Sequence, residues 1–383
     1  MGDLNLLVSL SVAFNKLKPY LAMVALQFGY AGMYIITLVS LKRGFSHWIL
    51  VVYRHAIATL VFAPFAYFFE KKIRPKMTKS IFLKIVVLAF LEPVMDQNLY
   101  YVGMQYTSAT FASAIVNVLP AITFIMAVIF RLEKINLKKI YSIAKVVGTL
   151  ITVTGAMLMT LYKGPVVNIL WYTHGGSHHK AAAAAAATDQ HWVTGTIMLL
   201  SCIVGWSAFF ILQNKTLEEY PAELSLTSLI CLMGFVEGGI VGVIMEHRKS
   251  AWAIGFDSRL LAAAYSGIVC SGIAYYMQSI VNKSRGPVFV TAFSPLSMII
   301  TAVMGAIVLA EQVRLGSLIG AVIVVLGLYS VVWGKSKENA SNKLLADGEG
   351  RGRELPVVDK QTSGVAGADA AAKSKKSLEQ AEP

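Results

Sequence analysis

Charged residues are scarce in this chain. They make up 14% of its 383 residues, where a soluble domain usually carries about a quarter. Hydrophobic residues make up 56%, and the mean hydropathy is +0.62. A soluble globular fold is excluded on that ground. Cysteine is nearly absent too. Cys202, Cys231 and Cys270 each sit inside an apolar stretch, and an odd, scattered set supplies neither a disulfide framework nor a zinc site. No HExxH, GxSxG or paired CxxC occurs. The stretch from Gly327 to Lys335-Ser336 has six residues between its glycines, where a phosphate loop requires four. The sequence therefore predicts no enzyme, no ATP-driven pump and no cofactor. It also predicts no metal, because His174, His178 and His179 lack a carboxylate or thiol to complete a ligand set. A cleavable leader is not expected: residues 4–14 are apolar, but Lys16, Lys18 and Pro19 come after them without a small-residue cleavage site.

Long apolar runs are what the chain does have. Ten are long enough to span a bilayer: 19–41, 46–69, 81–103, 107–130, 139–161, 192–213, 224–246, 259–282, 287–310 and 314–334. All read as helices, since a barrel needs short alternating strands. The net charge of +13 lies in the short loops between them, which is a membrane-topology signature and argues against a nucleic-acid partner. One set of loops holds Lys71, Lys72, Arg74, Lys76 and Lys79, then Arg131, Lys134, Lys138 and Lys139, with Lys335 and Lys337 after the last span. The alternate loops hold about half as many, so both termini are expected in the cytosol. The sequons at Asn214, Asn282 and Asn339 are then expected to go unused. Residues 1–18 read as a cytosolic terminus. Residues 162–191, with a run of seven alanines, read as a low-complexity non-cytosolic linker, and 335–383 as a disordered cytosolic tail.

The linker separates two halves, 19–161 and 192–334, that resemble each other. Gly29 to Glu70 and Gly205 to Glu246 are equally spaced, about 176 positions apart. Tyr100-Tyr101 recurs as Tyr275-Tyr276, Pro120 as Pro295, and Gly148 and Gly155 as Gly320 and Gly327. Five spans per half is odd, so the halves insert with opposite orientation. Inverted repeats of this kind build transporters with a midplane site.

The motifs make the resemblance specific. They include Pro19-Tyr-Leu-Ala-Met, Gln27-Phe-Gly-Tyr-Ala-Gly, Tyr53-Arg54-His55, Pro64-Phe-Ala-Tyr, Arg74-Pro75, Pro120-Ala-Ile-Thr-Phe, Leu161-Tyr-Lys-Gly-Pro165, Tyr220-Pro-Ala, Arg285-Gly-Pro-Val-Phe and Tyr329 to Gly334-Lys335. Over about residues 17–338 the chain resembles the plant nodulin-like, WAT1-related group of the drug/metabolite transporter superfamily, with EamA-type domains. Within that group it resembles the UMAMIT amino-acid facilitators. The resemblance implies a ten-helix, two-repeat fold and amino-acid transport, bidirectional or export-directed, with auxin or another organic metabolite as the alternative cargo. A non-transporting receptor or scaffold is a further alternative. A plasma-membrane location is expected, with the vacuolar membrane as alternative.

Polar residues inside the apolar spans mark the candidate site, because a charge near a bilayer centre costs roughly 2.5–3.5 kcal/mol. Arg54 in the second span and Asp96 in the third lie at matched depth, which predicts an ion pair, either across a cavity or purely structural. Glu92 and Asp96 are four residues apart and share a helix face. Glu92 either takes part in proton coupling, holds a substrate amino group, or satisfies a carbonyl freed by Pro93. Pro93, Pro120 and Pro295 are candidate hinges, with Asn117 and Ser294 beside freed carbonyls that suit a zwitterion. Gln27, Gln97, Trp206, Tyr275, Tyr276 and Gln278 complete the candidate wall. Lys84 and Lys145 are expected to snorkel to the interface. Glu237, mid-span in the seventh, is a candidate to answer the carboxylates of the third. The glycines of the fifth and tenth spans leave a homodimer open.

Overall fold

A computed structural model describes residues 2–42, 44–107, 109–133, 135, 136, 138–162, 164, 165, 189–308 and 315–353. The described residues are helical with short connections. In chain order the helices are α1 (Gly2–Lys42), α2 (His47–Glu70), α3 (Lys79–Ala89), α4 (Gln97–Tyr106), α5 (Ala109–Val116), α6 (Leu119–Ile129), α7 (Ile140–Leu161), α8 (Asp189–Glu219), α9 (Glu223–Met245), α10 (Lys249–Trp252), α11 (Ser258–Tyr265), α12 (Ala274–Arg285), α13 (Pro287–Ala292), α14 (Ser294–Val308) and α15 (Leu315–Arg353). Two π-helical segments, Phe90–Asp96 and Ser266–Ile273, join α3 to α4 and α11 to α12. Nine helical spans among the described residues are long and apolar enough to cross a membrane. The run from Lys79 to Tyr106 is not one of the nine, although its helical backbone is continuous across the third expected span. It carries Lys84, Glu92 and Asp96, and the first π segment divides it.

The π segments begin about 176 positions apart, the same offset that relates the two halves of the sequence. A π turn bonds i to i+5 and widens the helix, which relieves the clash that Pro93 would cause in an α-helix. The second segment has no proline. There Ser266 Oγ donates to the carbonyls of Ala262 (2.6 Å) and Ala263 (3.2 Å) where the widened turn begins. The candidate hinges repeat as well. The chain breaks between α5 and α6 just before Pro120, and between α13 and α14 just before Pro295. A missing N–H and a fixed φ place each proline in the first turn of a new helix.

The end of α2 caps the start of the antiparallel α9. Glu70, the last residue of α2, accepts from the first N–H groups of α9: Oε1 from Leu224 at 2.9 Å and Oε2 from Ser225 at 2.6 Å. Its counterpart Glu246 comes directly after α9 and lies beside Ser46, the N-cap of α2. Arg248 and Ser46 hold the Glu246 carboxyl down to about 2. A carboxylate is favoured there because orphan N–H groups and the helix dipole are both electropositive. Glu70→Ala is expected to destabilise the protein by about 1–2 kcal/mol, seen as a lower melting temperature in detergent. Glu246→Ala is expected to cost less, because the Arg248 side chain that bonds it is 75% exposed. Equal effects of the two substitutions would refute the capping role of Glu70.

Helices α7 and α15 approach through glycine. A Cβ on Gly148 would lie 2.9 Å from the carbonyl oxygen of Gly327, and one on Gly320 would lie 2.6 Å from that of Gly155. The glycines of the fifth and tenth spans are therefore engaged within the chain, where small residues let backbones touch. Where this seam ends, Lys145 differs from expectation. It does not snorkel: its side chain is fully buried and its Nζ lies 2.8 Å from Glu133 Oε2, while Lys335 pairs with Glu133 Oε1. Lys84 does reach the helix end, where it pairs with Glu219 at 2.5 Å.

Three boundaries also differ. α1 begins at Gly2 and passes through Pro19, so residues 4–14 extend the first helix. α15 continues to Arg353, through residues such as Lys343-Leu-Leu-Ala346 that are strong helix formers. A second compact unit begins at Ser336. The last linker residues, from Asp189, already belong to α8. The alanine run and the three linker histidines lie outside the described residues.

Candidate functional site

The site is built where α2 crosses the two π segments. Gly267 makes the crossing possible, since a Cβ there would lie 2.5 Å from the backbone oxygen of Arg54. From this contact the buried Arg54 side chain reaches into both halves. Its Nε donates to Ser271 Oγ at 2.6 Å and its Nη1 to Gln97 Oε1 at 3.2 Å. Gln97 in turn donates from Nε2 to Glu92 Oε1 at 3.3 Å. Residues 92 and 97 are five apart, the spacing that a π turn stacks on successive turns. The other oxygen, Glu92 Oε2, is buried without a partner among the described residues.

The expected Arg54–Asp96 ion pair is not formed among the described residues. Asp96 Oδ1 instead accepts from the Cys202 thiol of α8 at 2.8 Å. The matched-depth expectation assumed an α-helix throughout. The π segment adds a residue to the turn and rotates the helix beyond it by about 100°, so Gln97, not Asp96, meets the guanidinium. One cation and one carboxyl group, Arg54 and Glu92, are thus linked through the Gln97 amide, with Asp96 held separately by Cys202. The Arg54, Glu92, Asp96 and Gln97 side chains are all at most 8% exposed.

Other candidates lie at different distances from this centre. Gln278 donates from Nε2 to Tyr30 OH at 2.8 Å, tying α12 to α1. Gln27 is buried. Tyr275 is buried 5.7 Å from the Phe209 ring, and its hydroxyl has no partner among the described residues. Trp206 is half-buried beside Phe210, while Tyr276 lies half-buried on α12. Asn117 is drawn away: its Nδ2 donates to Thr160 Oγ1 of α7 at 3.3 Å, so it belongs to the α5–α7 contact. Ser294 is half-buried at the α13–α14 break beside Pro295. Pro93 packs against α9, where a Cβ on Gly234 would lie 2.8 Å from its Cβ. Glu237 makes no bond to the carboxylates of the first π segment, and both its oxygens are buried without a partner among the described residues.

Several polar residues of the interior escaped sequence reasoning. Ser271, Cys202 and Tyr30 bind the candidate residues directly. Further along α8 and α12, Gln213 donates to Ser279 Oγ at 3.1 Å, while Asn282 donates to Gln213 Oε1 at 3.0 Å and to the Phe210 carbonyl at 2.9 Å. Asn214 donates to the Asn282 carbonyl at 2.8 Å. Two asparagines read as sequons are therefore structural amides. The available signal was the run Gln278, Ser279, Asn282 on an apolar span, which places polar groups along one helix face.

The EamA-like transporter family model matches twice, over residues 17–161 and 193–333. Three WAT1-related proteins of Arabidopsis thaliana are 59%, 58% and 58% identical to the chain. The alignments cover 95%, 92% and 91% of this chain and 96%, 95% and 93% of theirs. A solved crystal structure, 14% identical, superposes with a TM-score of 0.59 over 81% of this chain and 96% of that one, and supports the fold alone.

Proposed function

The chain belongs to the EamA-like transporter family, within its plant WAT1-related proteins; from that premise we propose that it is a secondary carrier of amino acids. It is an integral membrane protein and a transporter of small organic compounds by family. The observation that carries the finer reading is the buried linkage of the Arg54 guanidinium, through Gln97, to the Glu92 carboxyl at the crossing of both halves, with the buried Asp96 on the same π segment. A zwitterion offers the complementary pair. Its carboxylate takes the bidentate fork of Arg54 in place of Gln97. Its ammonium takes the unpartnered Oε2 of Glu92, with Asp96 beside it. Ser271 on the second π segment holds the guanidinium while the amide is displaced.

Alternating access comes from rocking one half against the other around this point, with the proline breaks before α6 and α14 as hinges. Loop charge supports cytosolic termini, and the plasma membrane is the proposed location. Protons are a proposed coupling ion, carried by Glu92 or Asp96.

Flux of labelled glutamine into proteoliposomes tests the reading. Saturable uptake is expected, competed by other neutral amino acids and not by an indole acid, and lost in Asp96→Ala. Absence of saturable amino-acid flux overturns it. Competition by the indole acid alone moves the cargo to the auxin class. An imposed pH gradient that drives accumulation supports the proton coupling, and its failure to do so removes that part.

A further inference from the structure

Glu237 has no role in the site just described. It lies fourteen residues into α9 and eight from its end, about 12 Å below that end and within the hydrocarbon depth of a bilayer. Both of its carboxyl oxygens are buried and accept no hydrogen bond, and no ion pair reaches it among the described residues. It is the one polar side chain lining an outward groove of about 430 Å³, whose other walls are Val86, Val87, Phe90, Val94, Ile240 and Val241. Val87, Phe90 and Ile240 are exposed on the outer surface, so the groove opens to lipid. The volume falls in the range that holds small ligands.

We propose that this groove, between α3 with the first π segment and α9, binds a long-chain aliphatic amine taken from the bilayer, and that the Glu237 carboxyl, covered in the empty groove, turns outward to hold its ammonium. The walls match an alkyl chain, and only a cationic donor answers the acid. An ammonium brings three N–H donors to two acceptors that have none. A neutral alcohol offers a single donor and no charge, and a fatty-acid carboxylate repels an ionised Glu237. The ligand enters laterally, since the residues around Glu237 on the outer wall are apolar.

Occupancy bears on the neighbouring site. Phe90 and Val94 bracket Glu92 and Pro93 on the first π segment, and Gly234, one turn before Glu237, packs against Pro93. A bound amine braces α9 against the segment that carries Glu92 and holds it still. Inhibition of transport by such an amine is the corollary, and it rests on the proposed function. The binding itself does not.

The test therefore reads binding. Protein in phosphatidylcholine nanodiscs is photolabelled with a diazirine-bearing dodecylamine, and the labelled peptides are mapped. Label is expected in the segments spanning 86–94 and 237–241, competed by dodecylamine and not by dodecanol. Glu237→Gln preserves shape and keeps an amide on the groove wall; it is expected to lower labelling roughly tenfold or more, the loss of one charge-assisted contact. Val241→Trp fills the groove and is expected to remove the label with Glu237 intact. Equal labelling of the Glu237→Gln protein, equal competition by dodecanol, or label spread over other lipid-facing helices overturns the proposal.

Discussion

Glu133→Ala is expected to destabilise the protein by about 3–5 kcal/mol, the usual cost of removing one partner from a buried ion pair. Glu133 is 4% exposed and serves two cations. Lys145 Nζ lies 2.8 Å from Oε2, and Lys335 pairs with Oε1. Its removal takes away the acceptor that both ammonium groups share, in a place from which water is excluded. The three residues also tie the connection after α6 to α7 and α15, so the loss is expected to loosen the glycine seam as well. The measurement is the melting temperature of the purified protein in detergent, with Glu133→Ala/Lys145→Met beside it. Removing one cation along with the anion is expected to recover part of the loss. If Glu133→Ala melts as the parent does, or if the double variant is worse than either single, the cluster does not hold this end of the bundle together.

Arg54→Met is expected to abolish carrier activity, and more strongly than any other single change in the centre. The substitution keeps the apolar stem and removes the only cation that joins Gln97 and Glu92 on one side to Ser271 on the other. A charge-assisted hydrogen bond contributes about 1.5–3 kcal/mol, so each lost contact to a substrate carboxylate weakens binding by roughly ten- to a hundredfold. Two companions separate chemistry from folding. Arg54→Lys keeps the charge but lacks the planar fork, and is expected to raise KM for flux while the protein stays folded. Arg54→Met/Glu92→Gln removes a carboxyl group along with the cation, and is expected to melt higher than Arg54→Met alone. Full flux in Arg54→Lys with unchanged KM removes the bidentate role.

The third span shows how far a sequence reaches. That Glu92, Asp96 and Gln97 face the interior was legible, because a chain does not place two carboxyl groups and an amide in an apolar run against lipid. Which of them meets Arg54 was not legible. Depth fixed the level, but the π turn decided the rotation, and it exchanged Asp96 for Gln97. Lys145 shows the same limit from the other side. Its distance from a helix end was compatible with snorkelling, and only the approach of α15 brought Lys335 and Glu133 around it. Asn214 and Asn282 carried sequon patterns, yet they are amides within one α8–α12 network.

By itself the sequence determined the membrane class, the helical character of the apolar runs, the two related halves and the stretch where polarity is concentrated. Those properties are local: hydrophobic length, charge placement and spacing are read residue by residue along one dimension. The tertiary structure alone decided the partners, namely Arg54 with Ser271 at 217 positions' separation, Lys335 with Glu133 at 202, and Glu70 with the start of α9 at 154 and 155. Such contacts depend on how each helix is rotated about its axis and how closely two backbones approach. A single widened turn or a glycine opposite a carbonyl changes both, and neither leaves a periodic mark in the sequence.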